Sequence, residues 1–348
     1  MLTKRIITSQ QILDEEAKKR LAVGEESKPP IYDASLLDII IREKDGKKNF
    51  LTPEGTLLGS HWFKNVEPFF GGFAKVQLDD DLWNYLTLEG KLLSMHSFEI
   101  ADVFRDHFAV VKEKYGRFNF LKEDGELLFE MGHQDTHAFS EGIGDIRTED
   151  DLCNFIRPDG TPLCEEWFKN VLPFRNGYGM AQRTSDSYWN FIQKDGTPLF
   201  QNWYKELDFF DACGMAKVKK NGEWNYITKE EHFISDEWFY QLDDFEEHYA
   251  RVYKMTIKLE TISNLLKRDG TLLSEKWYDI MRERPFGFAF VVNLTGGADR
   301  VGNILRPDGT KVWKKDIPIH LLESGTEVLE RGEWRTYTYE QLLDYHEE

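Results

Sequence analysis

Residues 189–226 read WNFIQKDGTPLFQNWYKELDFFDACGMAKVKKNGEWNY, so the stretch ends as it begins, on Trp-Asn-aromatic. Trp189-Asn190-Phe191-Ile192 is a short run of strand formers. Lys194-Asp195-Gly196 follows as a hairpin turn, in which Asp bonds its own backbone and Gly accepts a positive φ. Residues 199–204 return as a second strand, and a linker holding Phe209 and Phe210 leads to a third at 215–219. Asn221-Gly222, a strong short hairpin signal, then opens the next copy. The predicted unit is an antiparallel meander of three strands, or four if the linker pairs.

The unit recurs along the chain. An aromatic-flanked Asn stands at Asn49, Asn84, Asn119, Asn154, Asn190, Asn225, Asn264 and Asn303, at spacings of 35, 35, 35, 36, 35, 39 and 39. Six residues later comes a turn glycine at Gly55, Gly90, Gly125, Gly160, Gly196, Gly270 and Gly309, with Glu231 in that slot of the sixth copy. Seven residues further on lies Trp62, Trp167, Trp203, Trp238 or Trp277, each followed by Phe or Tyr. A Phe and an Ala-x-Val strand close the copy, as in Phe73-Ala74-Lys75-Val76. A period of this length is the mark of a repeat architecture.

Such a meander carries apolar residues on both faces and cannot cover both by itself. Neighbouring copies must cover them, and the end copies should be atypical. Residues 1–30 are expected to form an N-terminal helical cap, with an amphipathic helix over about 10–23. The array runs over 31–313, and residues 314–348 form a C-terminal cap. Val328–Trp334 resembles Val218–Trp224, which suggests a degenerate ninth copy, and Tyr339–Tyr345 reads as a closing helix. The fold class expected is an all-β tandem array, either an open superhelix or a closed propeller of about seven blades. Copies of 35 residues are short for four-stranded blades, which favours the open form.

The motif Trp-x-aromatic-Ile-x-x-Asp-Gly, then Trp-aromatic, then Phe-x-x-Gly-x-Ala-x-Val resembles the WG-repeat family of bacteria and their phages. The resemblance spans Ile39 to Trp313. The family's Trp-Gly is here Trp-Asn, at Trp83-Asn84, Trp189-Asn190 and Trp224-Asn225. The family is described by its repeats rather than by an active site. The resemblance therefore implies interaction or scaffolding, with a phage-associated structural component as one form of it.

Composition narrows the partners. The chain has 348 residues, 41% of them hydrophobic, and a formal net charge of −18. An acidic surface repels nucleic-acid phosphates and anionic membranes, so neither is an expected partner. No stretch of the sequence has the length of a membrane span, and residues 1–24 lack the apolar run of a signal peptide. Three cysteines, Cys153, Cys164 and Cys213, suit a reducing compartment. The expected location is the cytoplasm or a virion. The three-residue turn at Pro158-Asp159-Gly160 sets Cys153 opposite Glu165, which argues against a disulfide to Cys164.

Candidate chemistry is sparse. The turn acids Glu54, Glu89, Asp124, Asp159, Asp195, Glu230, Asp269 and Asp308 offer one carboxylate per turn, where calcium loops need several, so turn formation is their expected role. His133 and His137 have metal-like i, i+4 spacing, yet Gln134 stands where zincins carry Glu, and the segment lies in a β linker. No phosphate loop, nucleophile elbow or Cys–His pair appears, and no enzyme activity, metal or cofactor is expected. The tryptophans Trp167, Trp203, Trp238 and Trp277 are expected to fill the gaps between copies. Asn84, Asn119, Asn154, Asn190 and Asn225 are expected to form a ladder between copies, while Gly90, Gly125, Gly160 and Gly196 hold turns. The function these readings favour is a protein-interaction scaffold. The alternative is a carbohydrate-binding protein that stacks sugars on exposed tryptophans.

Overall fold

A computed structural model describes residues 5–7, 37–42, 45–114, 116–293 and 301–346. The expected helix over 10–23 lies outside these. Near the N-terminus Arg5–Ile7 is a strand, parallel to Asp38–Arg42. The chain is all-β and repetitive. Most copies contribute three antiparallel strands in sequence order, such as Asp135–Ser140, Ile143–Arg147 and Cys153–Ile156. Two six-stranded sheets join consecutive copies, and none of the seven sheets among the described residues closes on itself.

Strand alternation explains why such units need neighbours. The residue after the Asn and the one after that point to opposite faces, and from the second copy on both are buried: Tyr85 and Leu86, Phe120 and Leu121, and Phe155 and Ile156 are all at most 1% exposed. Phe50 of one copy shares its core cluster with Leu86 of the next, and Tyr85 pairs in the same way with Leu121. Phe120 with Ile156, Tyr226 with Leu266, and Leu265 with Leu305 continue the pattern. The core is therefore a succession of layers, each built from two consecutive copies.

The chain divides into two compact units, residues 1–187 with 191–198, and residues 188–190 with 199–348. Gly325–Glu330 and Glu333–Thr338 form a hairpin at the place of the degenerate ninth copy, and a short helix, Tyr339–Leu343, follows. Thr338 caps that helix, with Gln341 bonding back to the Thr338 backbone. Arg335 occupies the place of the recurrent Asn, so this last hairpin lacks the feature that organises the others. Among the described residues, no helix is long and apolar enough to cross a membrane.

Candidate functional site

The recurrent asparagine acts within its own copy. Asn154 is fully buried, its Nδ2 donates to the carbonyls of Cys164 at 3.0 Å and Glu166 at 3.1 Å, and its Oδ1 accepts from the Cys164 amide at 3.3 Å. Asn190 does the same with Phe200 and Asn202, and Asn303 with Trp313 and Lys315, while Asn225 Nδ2 donates to the carbonyls of Ser235 and Glu237. Asn84 holds Ser94 and His96, and Asn119 holds Phe129. A carboxamide alone offers two donors and an acceptor on one short side chain, which is what a strand leaving its ladder needs. The expected ladder between copies is thus corrected: the asparagine is a clamp on its own hairpin.

The clamp also corrects the expected register. Ile156 bridges to Pro162, as the three-residue turn requires, but Cys153 bridges to Phe168 rather than Glu165. Three extra residues leave the ladder where Asn154 receives their backbone groups. Cys153 and Cys164 are both free and buried. Burial raises the Cys153 thiol and pushes Cys164 up to about 12, which leaves both as poor nucleophiles.

The turn glycines carry the contact between copies. Gly90, Gly125, Gly160 and Gly196 all have positive φ, between 75° and 92°. A Cβ on Gly196 would meet the Leu163 carbonyl oxygen at 2.2 Å, and on Gly90 that of Leu58 at 1.7 Å. Gly160 differs, resting on the Phe129 and Leu128 side chains at 3.4 Å and beyond. In the sixth copy Glu231 takes the slot with φ 61°. Its carboxylate accepts from the amides of Gln201 at 2.8 Å and Asn202 at 3.0 Å, from Asn202 Nδ2 at 2.9 Å, and from the Tyr204 hydroxyl at 3.0 Å. Burial opposes its charge, yet these bonds together hold the carboxyl below the ordinary glutamate range.

Trp167, Trp203, Trp238 and Trp277 are each only partly buried. The residue that follows fills the layer: Phe168, Tyr204, Phe239 and Tyr278 are at most 5% exposed. The tryptophans rim the layers. Trp277 lies 6.3 Å from Phe239 of the preceding copy, with Lys254 Nζ 4.5 Å above its ring, and Trp238 packs edge-on to Phe233. An aromatic follows every one of these tryptophans in the sequence, which marks the position without saying which of the two rings is buried.

His133 occupies that buried aromatic slot in the third copy, bridging Phe118 and lying edge-on to Phe129 at 4.5 Å. Its Nε2 is enclosed without a partner, and burial, then nearby Arg117, lowers its pKa. His137 belongs to the strand Asp135–Ser140, and its Nδ1 lies 2.8 Å from the buried Asp145, whose hydrogen bond raises the imidazole pKa. Four residues of extended chain span roughly 13 Å, so the spacing that suits a helix does not converge on a metal here. Among the described residues, no group of three His, Cys, Asp or Glu side chains is placed to hold a metal ion. The turn acids serve their own turns: Asp159, Asp195, Asp269 and Asp308 each accept from the amide and hydroxyl of the threonine two residues on.

No protein-family model matches the chain, and no curated protein does. Solved structures are similar in outline only. The computationally designed Ika8 protein is 13% identical, covering 78% of this chain and 95% of its own, at a TM-score of 0.30. A eukaryotic initiation factor is 10% identical over 84% of this chain and 91% of its own, at 0.34. BamB from Moraxella catarrhalis is 13% identical over 69% and 80%, at 0.27. Likeness at this level carries no argument about function.

Proposed function

We propose that the chain is a non-catalytic protein-interaction scaffold of the WG-repeat kind, acting in the cytoplasm or as a structural component of a phage particle. One observation carries this reading. The position nine residues after the turn-glycine slot is exposed in six successive copies and carries four residue types, as Lys64, Glu99, Gln134, Lys169, Lys205 and Tyr240. Around it the constant residues are committed to the framework, the Asn to its clamp and the Gly to its close approach. A fixed frame that presents a varied row of side chains is how repeat proteins build binding faces. The absence of enzyme activity belongs to this proposal.

A photo-crosslinking residue at Gln134 or Lys205 tests it in the native cell. The proposal expects discrete adducts to one partner protein from both positions. Adducts from neither, with selective binding on a glycan array, would overturn it. The glycan reading has its own support, since Trp167, Trp203, Trp238 and Trp277 are partly exposed at repeat spacing, as sugar stacking requires.

A further inference from the structure

The last sheet of the second unit carries a cleft of about 750 Å³ with a floor of Ile280, Phe290, Val292, Leu321 and Leu329. That volume lies within the ordinary range for sites that take small organic molecules, and such sites combine an apolar lining with few polar groups. Three features distinguish this cleft. Its lining contains Arg282 and His320 but no Asp or Glu, in a chain with 62 acidic residues. Arg282 is exposed, and its side chain makes no hydrogen bond or ion pair with any described residue. Trp334, 47% exposed, lies flat on His320, with ring centroids 4.2 Å apart and planes at 13°.

We infer that this cleft binds a small apolar molecule bearing one carboxylate. The apolar floor takes the body of the ligand out of water, at roughly 25 cal/mol per Å² buried. The Arg282 guanidinium matches a carboxylate in plane and charge, and its fork has no competing anion among the cleft residues. The stacked Trp334 and His320 rings give the lining a flat aromatic part. Glu327 stands 3.7 Å from His320 Nδ1 and is not part of the lining. The net charge of −18 disfavours anions in general, and a lining with Arg282 and no carboxylate offsets that locally. The inference is independent of the scaffold reading.

Calorimetric titration of the full chain with decanoate and with 2-naphthoate tests it, beside decyltrimethylammonium as the charge-reversed probe. The expected result is one-to-one binding of at least one carboxylate and none of the ammonium. Arg282→Gln should weaken carboxylate binding about tenfold, and Trp334→Ala should weaken naphthoate most. Arg331→Gln, an exposed arginine outside the cleft, should leave binding unchanged. Arg282 has no partner to lose, so its variant should fold, and an unchanged circular dichroism melt confirms that. Failure of both carboxylates to bind, equal binding of the ammonium, or indifference to both Arg282→Gln and Trp334→Ala would overturn the inference.

Discussion

The hydroxyl of Tyr204 donates to the carboxylate of Glu231 at 3.0 Å, and so the one copy without a turn glycine is held to its predecessor by a side chain instead of by backbone contact. Glu231 sits in the left-handed region at a steric cost of roughly 1–2 kcal/mol. Its four hydrogen bonds offset that cost. Glu231→Ala keeps the backbone strain and deletes the bonds, and should lower stability by about 1–2 kcal/mol after allowance for solvent contact. Because its pKa is depressed, the contribution is present above the unfolded glutamate pKa and is lost as pH falls through the lower folded value. Urea unfolding of wild type and variant at pH 7 and pH 3 checks both points: the gap between them should close at the lower pH.

The asparagine clamp makes a sharper demand. Asn154→Ala leaves the carbonyls of Cys164 and Glu166 without their donor inside the protein, at a cost on the order of 2–4 kcal/mol. Asn154→Asp should be worse at pH 7, since a carboxylate would face two carbonyl oxygens, and should recover in part on acidification as the group takes up a proton. Equal stability of Asp and Asn at this position would rule out the donor role.

Much of this was legible in the sequence, though not all of it. Asn and Gly recur in step, which locates the turn hairpins of seven of the eight copies. Periodicity gives position but not the aim of a side chain, so Asn154 was read as reaching toward a neighbouring copy when it turns back on its own. The partner of Cys153 was missed for the same cause, because the clamp withdraws three residues from the ladder that turn chemistry alone defines. Trp238 and Phe239 are adjacent aromatics, of which Phe239 bridges to Trp224, and the motif does not say which of the two faces the core. The larger ring went to the rim, where Trp277 meets Lys254, and the smaller filled the layer. Arg282 and Trp334 were invisible as a pair, since nothing in the repeat links them.

That division between rim and layer has a measurable consequence. Phe239→Ala should cost about 3–5 kcal/mol through the cavity left in a packed layer, and Trp238→Ala clearly less. Comparison of the two denaturation midpoints decides it; the reverse order would return the tryptophan to the core.

The two third-copy histidines should oppose each other in a pH titration. His133 has a lowered pKa, so its protonation favours the unfolded chain, and its contribution to stability is lost as pH falls below the unfolded value of about 6.5. His137 has a raised pKa, so its contribution is full below that value and is lost as pH rises through the folded pKa. Between pH 7.5 and 5.5, His133→Phe should flatten the acid-side decline of the urea midpoint, and His137→Gln should steepen it. Parallel curves for wild type and both variants would contradict these assignments.

The central claim is that the repeat motif encodes contact between successive copies, and two glycines test it side by side. Gly177 and Gly196 have φ of 88° and 92°, so an added Cβ meets the same backbone penalty at either. At Gly177 nothing lies within 4 Å of that Cβ, whereas at Gly196 the Leu163 carbonyl oxygen of the preceding copy is 2.2 Å away. Gly177→Ala should therefore cost about 1–2 kcal/mol, and Gly196→Ala at least roughly 2 kcal/mol more, since backbone cannot yield as a side chain tip does. The measurement is the difference in unfolding free energy between the two variants by urea denaturation. A clear excess loss at Gly196 is the predicted result, and equal losses would contradict the account.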